Sequence, residues 1–437
     1  MRACDIILKK RNGLEHTSEE INYLMHGYVN GDIPDYQLAA WAMAVYYQGL
    51  SNAEILCLTQ AMIDSGDKID LSAVEGVTLD KHSTGGVADT TTLILVPLLA
   101  AADVKIVKMS GRGLGYTGGT IDKLEAIPGF RVEFNQKQIF NLIEKCGAVI
   151  AAQTNNLVPA DKKLYALRDV TATIDIIPLI ASSIMAKKIA TGTEKILLDV
   201  KVGQGAFMKN LEDAELLAQM MVEIGNGMGR ETVAFITNMH EPLGNYVGNS
   251  LEVKEAINVL TGRSKGRLRD LTLELAAEAL VLVGKFDSNE YAKNRAQMIL
   301  ESGRATKKFM EIIANQGGNP KVVDNPEILP QASQKNSILA NENGFIKTLD
   351  AEKIGMSAMI LGAGRSIKEQ DIFQEVGISL KKKVGDTVNI GDELAVIHSR
   401  AGYQLEAATK LINAAISYTS ELPIEQPLIY KKIIKNR

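Results

Sequence analysis

The sequence predicts a mixed chain of α/β plus all-α type: a small helical bundle, a larger α/β domain with a mostly parallel sheet, and a β-rich α+β region at the C-terminal end. Three observations predict it. From residue 76 to 283, short β-type runs alternate with helix-length segments, the pattern of βαβ units. Residues 1 to about 65 show helical periodicity and helix caps. Beyond 336, short β-type runs dominate.

In chain order, Thr17 and Glu20 form a capping box ahead of Ile21, Leu24, Met25 and Tyr28 at helical spacing. Pro34 opens a second helix with Leu38, Trp41, Met43 and Val45, and Ser51 with Glu54 caps a third. Trp41, Tyr46 and Tyr47 concentrate here in a chain with only 5% aromatics, so they form either the bundle core or a homodimer face. Gly76–Leu79, Val104–Val107, Gly147–Ala152, Lys195–Val202 and Val233–Thr237 read as strands. Asp89–Ala102, Leu211–Met228, Leu251–Leu260 and Leu271–Val283 read as helices. Two helices, from Pro159 and from Ile176, interrupt the alternation and are expected to join the bundle. The expected domains are therefore 1–66 with 160–192, 67–159 with 193–335, and 336–437. Residues 316–337, rich in Gly, Asn, Pro and Gln, read as a linker or long loop. The last region resembles the barrel-sandwich fold of lipoyl and biotinyl carriers, without the hairpin-tip lysine beside methionine that a carrier needs. Lys381–Lys383 reads as a solvated strand edge.

Composition narrows the function classes. Charge is balanced, with 48 basic against 52 acidic residues and a net −4, so nothing favours nucleic acid or a membrane surface. The longest apolar run, Leu93–Ala102, is too short to span a bilayer. Cys4, Cys57 and Cys146 are widely spaced, which suits free thiols in a reducing cytoplasm and no structural zinc.

The chemistry concentrates between Asp80 and Glu125. Lys81-His-Ser-Thr-Gly-Gly86 and Lys108-Met-Ser-Gly-Arg-Gly113 each follow a strand, 27 residues apart, close to one βαβ repeat. Both then open onto one crevice at the strand ends. A third glycine pair, Gly118-Gly119, precedes Thr120. One such loop is ordinary turn chemistry; three within 40 residues, two carrying lysine, suit a tetrahedral oxyanion. Neither a Walker A sequence nor GxGxxG is present, which disfavours nucleoside triphosphates and dinucleotides. Candidate anion ligands are Lys81, Ser83, Thr92, Lys108, Ser110 and Thr120, with His82 placed for proton transfer. Ser183 and Lys187, four apart, share a helix face with Ile180 that suits a flat polar heterocycle, and Arg168 ends the preceding helix.

With these residues assembled, Ser110-Gly-Arg-Gly-Leu-Gly-Tyr-Thr-Gly-Gly-Thr-Ile-Asp-Lys-Leu-Glu125 resembles the signature of the thymidine and pyrimidine-nucleoside phosphorylases. Lys81–Gly86 and Leu198-Asp-Val-Lys-Val-Gly-Gln-Gly-Ala-Phe-Met208 also resemble family segments, and the similarity covers essentially the whole chain. Anthranilate phosphoribosyltransferase shares a related fold and loop. The resemblance implies reversible phosphorolysis of uridine, thymidine or deoxyuridine to free base and (deoxy)ribose 1-phosphate. It implies a cytoplasmic homodimer with no organic cofactor. It implies phosphate on Lys81, His82, Ser83, Thr92, Lys108, Met109, Ser110 and Thr120. It places the base against Leu114, Tyr165, Arg168, Ile180, Ser183 and Lys187, with His82, Arg168, Ser183 and Lys187 catalytic and His82 protonated. Lysine at 108 marks the enzymes that accept uridine as well as thymidine; strict thymidine phosphorylases tend to carry methionine there. A structural potassium ion is implied at Ala88, Thr90, Leu243, Tyr246 and Glu255, where Ala88 and Tyr246 depart from the usual small residues. With base on the all-α side and phosphate on the α/β side, hinges are expected near 66–80, 154–163 and 190–195. A phosphoribosyltransferase would instead use Asp122 and Glu125 for magnesium, and a nucleoside- or phosphate-binding regulator would keep the motifs without turnover.

Overall fold

The computed structural model describes residues 1–435 except Leu114, Thr117, Asn155, Ser366, Lys368 and Glu369. Helices α1 (Ala3–Arg11), α2 (Ser18–Asn30), α3 (Asp35–Gln48) and α4 (Asn52–Asp64) form the bundle. Both expected capping boxes are made, Thr17 with Glu20 and Ser51 with Glu54, so each chain reversal ends in satisfied backbone N–H groups. The aromatic cluster splits. Trp41 is core, donating its indole N–H to His16 Nε2 at 3.0 Å, whereas Tyr46 and Tyr47 are exposed and meet edge to face.

The chain then builds β1 (Thr78–Ser83), α5 (Thr91–Ala100), β2 (Lys105–Ser110), α6 (Thr120–Glu125), α7 (Gln136–Cys146) and β3 (Ala148–Ala152). Helices α8 (Pro159–Asp169) and α9 (Ile177–Ala190) return to the bundle, α9 against α4 and α8 against α2 and α3. β4 (Lys195–Val202), α10 (Leu211–Gly227) and β5 (Glu231–Asn238) complete the parallel part of the sheet. The order β5-β4-β1-β2-β3 is parallel throughout. Buried on both faces, its strands read as apolar runs, as two-sided sheets require. Every residue of α5 is buried, which explains its lack of a polar face: it lies between the sheet and further helices. Those helices follow the short strand β6 (Tyr246–Val247) as α11 (Asn249–Leu260), α12 (Arg267–Leu282), α13 (Asn289–Glu301) and α14 (Arg304–Asn315); α13 and α14 were not foreseen.

Of the two readings of 316–337, the loop is the one observed, packed rather than free: Gln316 is buried, accepting from Ile150 N–H and donating to the carbonyls of Ile150 and Arg131. Its amide supplies hydrogen bonds that β3, a sheet edge, would otherwise lack. The C-terminal region is also not self-contained. Strands β7 (Gln334–Leu339), β8 (Gly344–Leu349), β9 (Gly377–Leu380), β10 (Thr387–Val388), β11 (Glu393–Ser399) and β12 (Ile416–Thr419), with helices α15 (Ala351–Ile360) and α16 (Leu405–Ala415), form two small sheets. One of those sheets takes in β6, and the final strand β13 (Ile429–Ile433) leaves them to pair antiparallel with β5.

The three chain crossings between bundle and α/β domain lie side by side. Asp67 N–H donates to Asn156 O and Ile69 N–H to Ala190 O, both at 2.9 Å. Gly66 and Gly192 permit the approach, because a Cβ on either would fall 2.2 Å from a carbonyl oxygen, Asn156 O or Ile69 O.

Candidate active site

The motif lysines lie in strands rather than in loops. β1 stays paired with β4 through Ser83 opposite Asp199, so Asp80, Lys81, His82 and Ser83 are held at fixed alternation at the strand's C-terminal end. On β2, pairing with β3 fixes Lys108, Met109 and Ser110 in the same way. The two ends open onto one cleft of roughly 300 Å³. Ser83, Thr92, Lys108, Met109, Ser110 and Thr120 line it, together with His82 and the glycines of all three motif loops. Among the described residues, only Tyr165 and Lys188 reach it from the helical side.

Lys81 is the exception among the expected anion ligands. Its ammonium turns beneath the cleft, donating to Thr91 Oγ1 at 2.7 Å and pairing with Asp199 at 3.2 Å. Asp199 also pairs with Lys201 at 2.8 Å. Ser83 donates to Asp89 Oδ2 at 2.6 Å, and Asp89 stays ionised despite burial because Lys201, Lys81 and Lys123 surround it. Lys188 donates to Asp80 Oδ2 and to the Met109 carbonyl, both at 2.7 Å. Lys108 differs from all of these. It has no carboxylate within ion-pair distance among the described residues, and it donates to the Met109 carbonyl at 3.1 Å. Burial, and then Lys188, bring its pKa down to about 7.

His82 also departs from expectation. Its pKa is well below the usual histidine value, through burial and then the charges of Lys188, Lys108, Lys81 and Lys187. The imidazole is therefore neutral rather than protonated, and its buried Nε2 has no hydrogen-bond partner among the described residues.

The base-side residues form a separate group. Lys187 donates to Asp161 Oδ2 at 2.7 Å and Ser183 Oγ at 3.0 Å, and its ammonium lies 5.9 Å from the Tyr165 ring centre. Arg168 is buried, with its guanidinium donating to the carbonyls of Thr173 and Ile174, and burial lowers its pKa to about 10. Of this group only Tyr165 lines the cleft; Arg168, Ile180, Ser183 and Lys187 stand back from it, and Leu114 lies outside the described residues.

Four of the residues named for potassium, Ala88, Leu243, Tyr246 and Glu255, lie near one another, while Thr90 donates to Glu252. Gly244 N–H donates to Ala88 O, Leu243 N–H to Val87 O, and the buried Glu255 accepts from the N–H groups of Asn245 and Tyr246. Ala88 holds a left-handed conformation (φ 55°), a strain of about 1 kcal/mol for a non-glycine residue. Oxygen donors with one buried carboxylate fit a monovalent cation. Lys383 already approaches them: it donates to the carbonyls of Pro242 and Gly244, so it is no solvated edge residue. Burial raises the Glu255 pKa to about 7.

Asp122 and Glu125, the acids a magnesium-dependent transferase would use, are both engaged by arginine. Arg365 and Arg112 hold Asp122, and Arg112 holds Glu125. Sequence reasoning missed Asp80, Asp161, Asp199, Lys188 and Lys201. Lys188 did carry a signal, a lysine inside a helix that is otherwise apolar on nearly every side.

A bundle set beside a parallel sheet, with an oxyanion cradle at the strand ends facing a helix pair, defines a transferase of the two-domain glycosyl transferase type. Residues 5–66 match the glycosyl transferase family helical bundle domain and 75–306 its a/b domain. Residues 345–419 match the pyrimidine nucleoside phosphorylase C-terminal domain. The pyrimidine-nucleoside phosphorylase of Staphylococcus aureus (strain MSSA476) is 51% identical over 435 residues, 100% of both chains. That of Bacillus subtilis (strain 168) is 53% identical over 399 residues, 91% of this chain and 92% of its own. The chain belongs to the pyrimidine-nucleoside phosphorylase family. Its fold is shared with anthranilate phosphoribosyltransferase from Thermus thermophilus (TM-score 0.59, 18% identity, 72% of this chain and 99% of that one).

Lys108 titrates near neutrality, and an anion binds better when it is charged. Phosphate affinity measured by calorimetry should fall between about pH 7 and about pH 9, by up to roughly tenfold per unit. Lys108→Met should flatten this dependence. A wild-type affinity that stays constant over the range would place the titration elsewhere.

Proposed function

We propose that the protein catalyses reversible phosphorolysis of pyrimidine nucleosides, accepting uridine, thymidine and deoxyuridine. The observation that carries this reading is the cleft at the ends of β1 and β2. It combines a cation without a carboxylate partner, Lys108, the hydroxyls of Ser83, Thr92, Ser110 and Thr120, and an unpartnered His82 Nε2. A phosphate dianion would complement the first groups and leave His82 for the substrate.

In the reaction, a phosphate oxygen forms a bond to the anomeric carbon while the glycosidic C–N bond breaks. The bonding pair leaves with the base. Positive charge grows on the sugar and negative charge on the base, so fixed charges on the two sides lower the barrier without a covalent enzyme intermediate. Phosphate in the cradle faces the sugar. Lys187, with Ser183, and Arg168 are suited to the base, and Lys187 lies against Tyr165, which lines the cleft. His82 needs no initial charge for its part: a neutral imidazole with the proton on Nε2 can donate to the base carbonyl. The incoming dianion also offsets the four lysines that hold its pKa down.

We place the enzyme in the cytoplasm, where the thiols of Cys4, Cys57 and Cys146 stay free. We take it to be a homodimer through the bundle face that carries the exposed Tyr46 and Tyr47, since exposed aromatics are enriched at such faces. The loop around Leu243 and Glu255 would hold a potassium ion beside Lys383.

Base release from uridine and thymidine should require phosphate or arsenate. Phosphate-independent release would make the protein a hydrolase. Lys108→Met should lower turnover at least tenfold and move the remaining preference toward thymidine; an unchanged uridine-to-thymidine ratio would detach substrate choice from this residue. Sedimentation should give a dimer that Tyr46→Glu with Tyr47→Glu dissociates, and a monomeric wild type would refute the interface. Potassium chloride should raise the unfolding midpoint above that in equimolar choline chloride. Equal midpoints would show that Lys383 serves the loop alone.

A further inference from the structure

Lys187 and Lys188 are adjacent on α9 but do different things. Lys187 is partly exposed and stays within the helical half, on Asp161 and Ser183. Lys188 is 2% exposed and crosses to the α/β half, where its ammonium meets Asp80 on β1 and the Met109 carbonyl on β2. The same carbonyl accepts from Lys108. One backbone oxygen between the two motif strands therefore gathers the cradle's spare cation and the single lysine that the helical half sends into the cleft.

We propose that Lys188, paired with Asp80, is a positioning residue for the reaction, fixing α9 to the ends of β1 and β2 and governing the charge state of Lys108. The proposal rests on the phosphate reading of the cleft. Its geometric basis is that α9 carries Ser183 and Lys187, so the anchor that fixes Lys188 also fixes how these two stand relative to the cradle. A further cation elsewhere in the bundle could not do this, because Lys188 alone among the described helical-side lysines lines the cleft.

The charge effect has a definite sign. The groups acting on Lys108 are Lys188 from α9, Asp80 and Lys81 from β1, and Asp89 ahead of α5. Neutral His82, next to Lys81 on β1, contributes no charge. After burial itself, Lys188 is the strongest of these influences, and it lowers the Lys108 pKa; Asp80 is next and raises it. Lys188 thus keeps Lys108 close to its own titration point, able to take up a proton as phosphate binds and to lose it as sugar phosphate leaves. A lysine with a purely structural part would hold α9 in place without setting this midpoint.

The test compares wild type with Lys188→Met, Lys188→Arg and the double variant Asp80→Asn/Lys188→Met. The double variant removes both buried charges together and so guards against a single variant that fails to fold. Phosphate binding is measured by calorimetry across pH, phosphorolysis by kcat and KM, and the Lys108 titration by NMR of labelled lysine. Lys188→Met should lower kcat at least tenfold and move the Lys108 midpoint upward by a unit or more. Lys188→Arg should keep the wild-type midpoint and recover part of kcat. In the double variant the midpoint should still rise, by less, because the larger of the two opposing influences has gone. A wild-type midpoint in a folded Lys188→Met or double variant, or kcat within twofold of wild type, overturns the proposal. A wild type that releases base without phosphate sinks the functional reading instead, and the NMR midpoint of Lys108 still decides the charge relation.

Discussion

Three aspartates, Asp80, Asp89 and Asp199, determine the charge of the cleft at the ends of β1 and β2. Asp80 lies within β1, Asp199 within β4 and Asp89 between β1 and α5, and each binds lysines or hydroxyls from other segments. Five lysines, Lys81, Lys108, Lys123, Lys188 and Lys201, crowd the same region against these three aspartates and Glu252, which pairs with Lys123. Burying so many charges is expensive, and apolar packing of the same volume would give as much stability. What the ionic lattice supplies is direction. Lys81, Lys188 and Lys201 are each consumed by a carboxylate, and Lys108, at the cleft, is left without a carboxylate partner among the described residues. A cradle with equal numbers would have little to offer a dianion.

The same lattice explains how two bodies of different construction share one site. The bundle rests on apolar contacts and capped helices, while the α/β domain rests on a sheet buried on both faces. Between them run three chain crossings hydrogen-bonded side by side, with Gly66 and Gly192 where a side chain would collide. Close packing of that kind concentrates any relative motion at a few residues. Tyr165 and Lys188 stand at the boundary between the two bodies, where both line the cleft.

Much of this was legible in the sequence because it depends on local patterns. Helix caps, the βαβ spacing and the repeated Lys-x-Ser triplet are short-range signals, and the signature from Ser110 to Glu125 is specific. What escaped was set by contacts distant in the chain. Nothing near Lys81 announces that Asp199 will turn its ammonium away, and nothing near His82 reveals that four lysines will surround it. Lys383 read as a surface strand because its neighbours are lysines, yet it reaches carbonyls about 140 residues earlier. Gln316 sat in a stretch whose composition looked like a linker or long loop, and only the edge of β3 shows why an amide is needed there. The strands themselves ran further than their apolar residues suggested, because parallel pairing with β4 and β3 carries β1 and β2 through the polar motif residues.

The position of β13 has a consequence for how the protein is made. Domains emerging from the ribosome fold in order, N-terminal first. Here β5, formed midway along the chain, keeps one edge open until residues 429–433, far later in the chain, arrive to pair with it. Throughout synthesis that edge is a row of unsatisfied backbone groups available to other nascent chains. The closing strand therefore arrives long after its partner, and until it pairs the edge of β5 stays open to other chains.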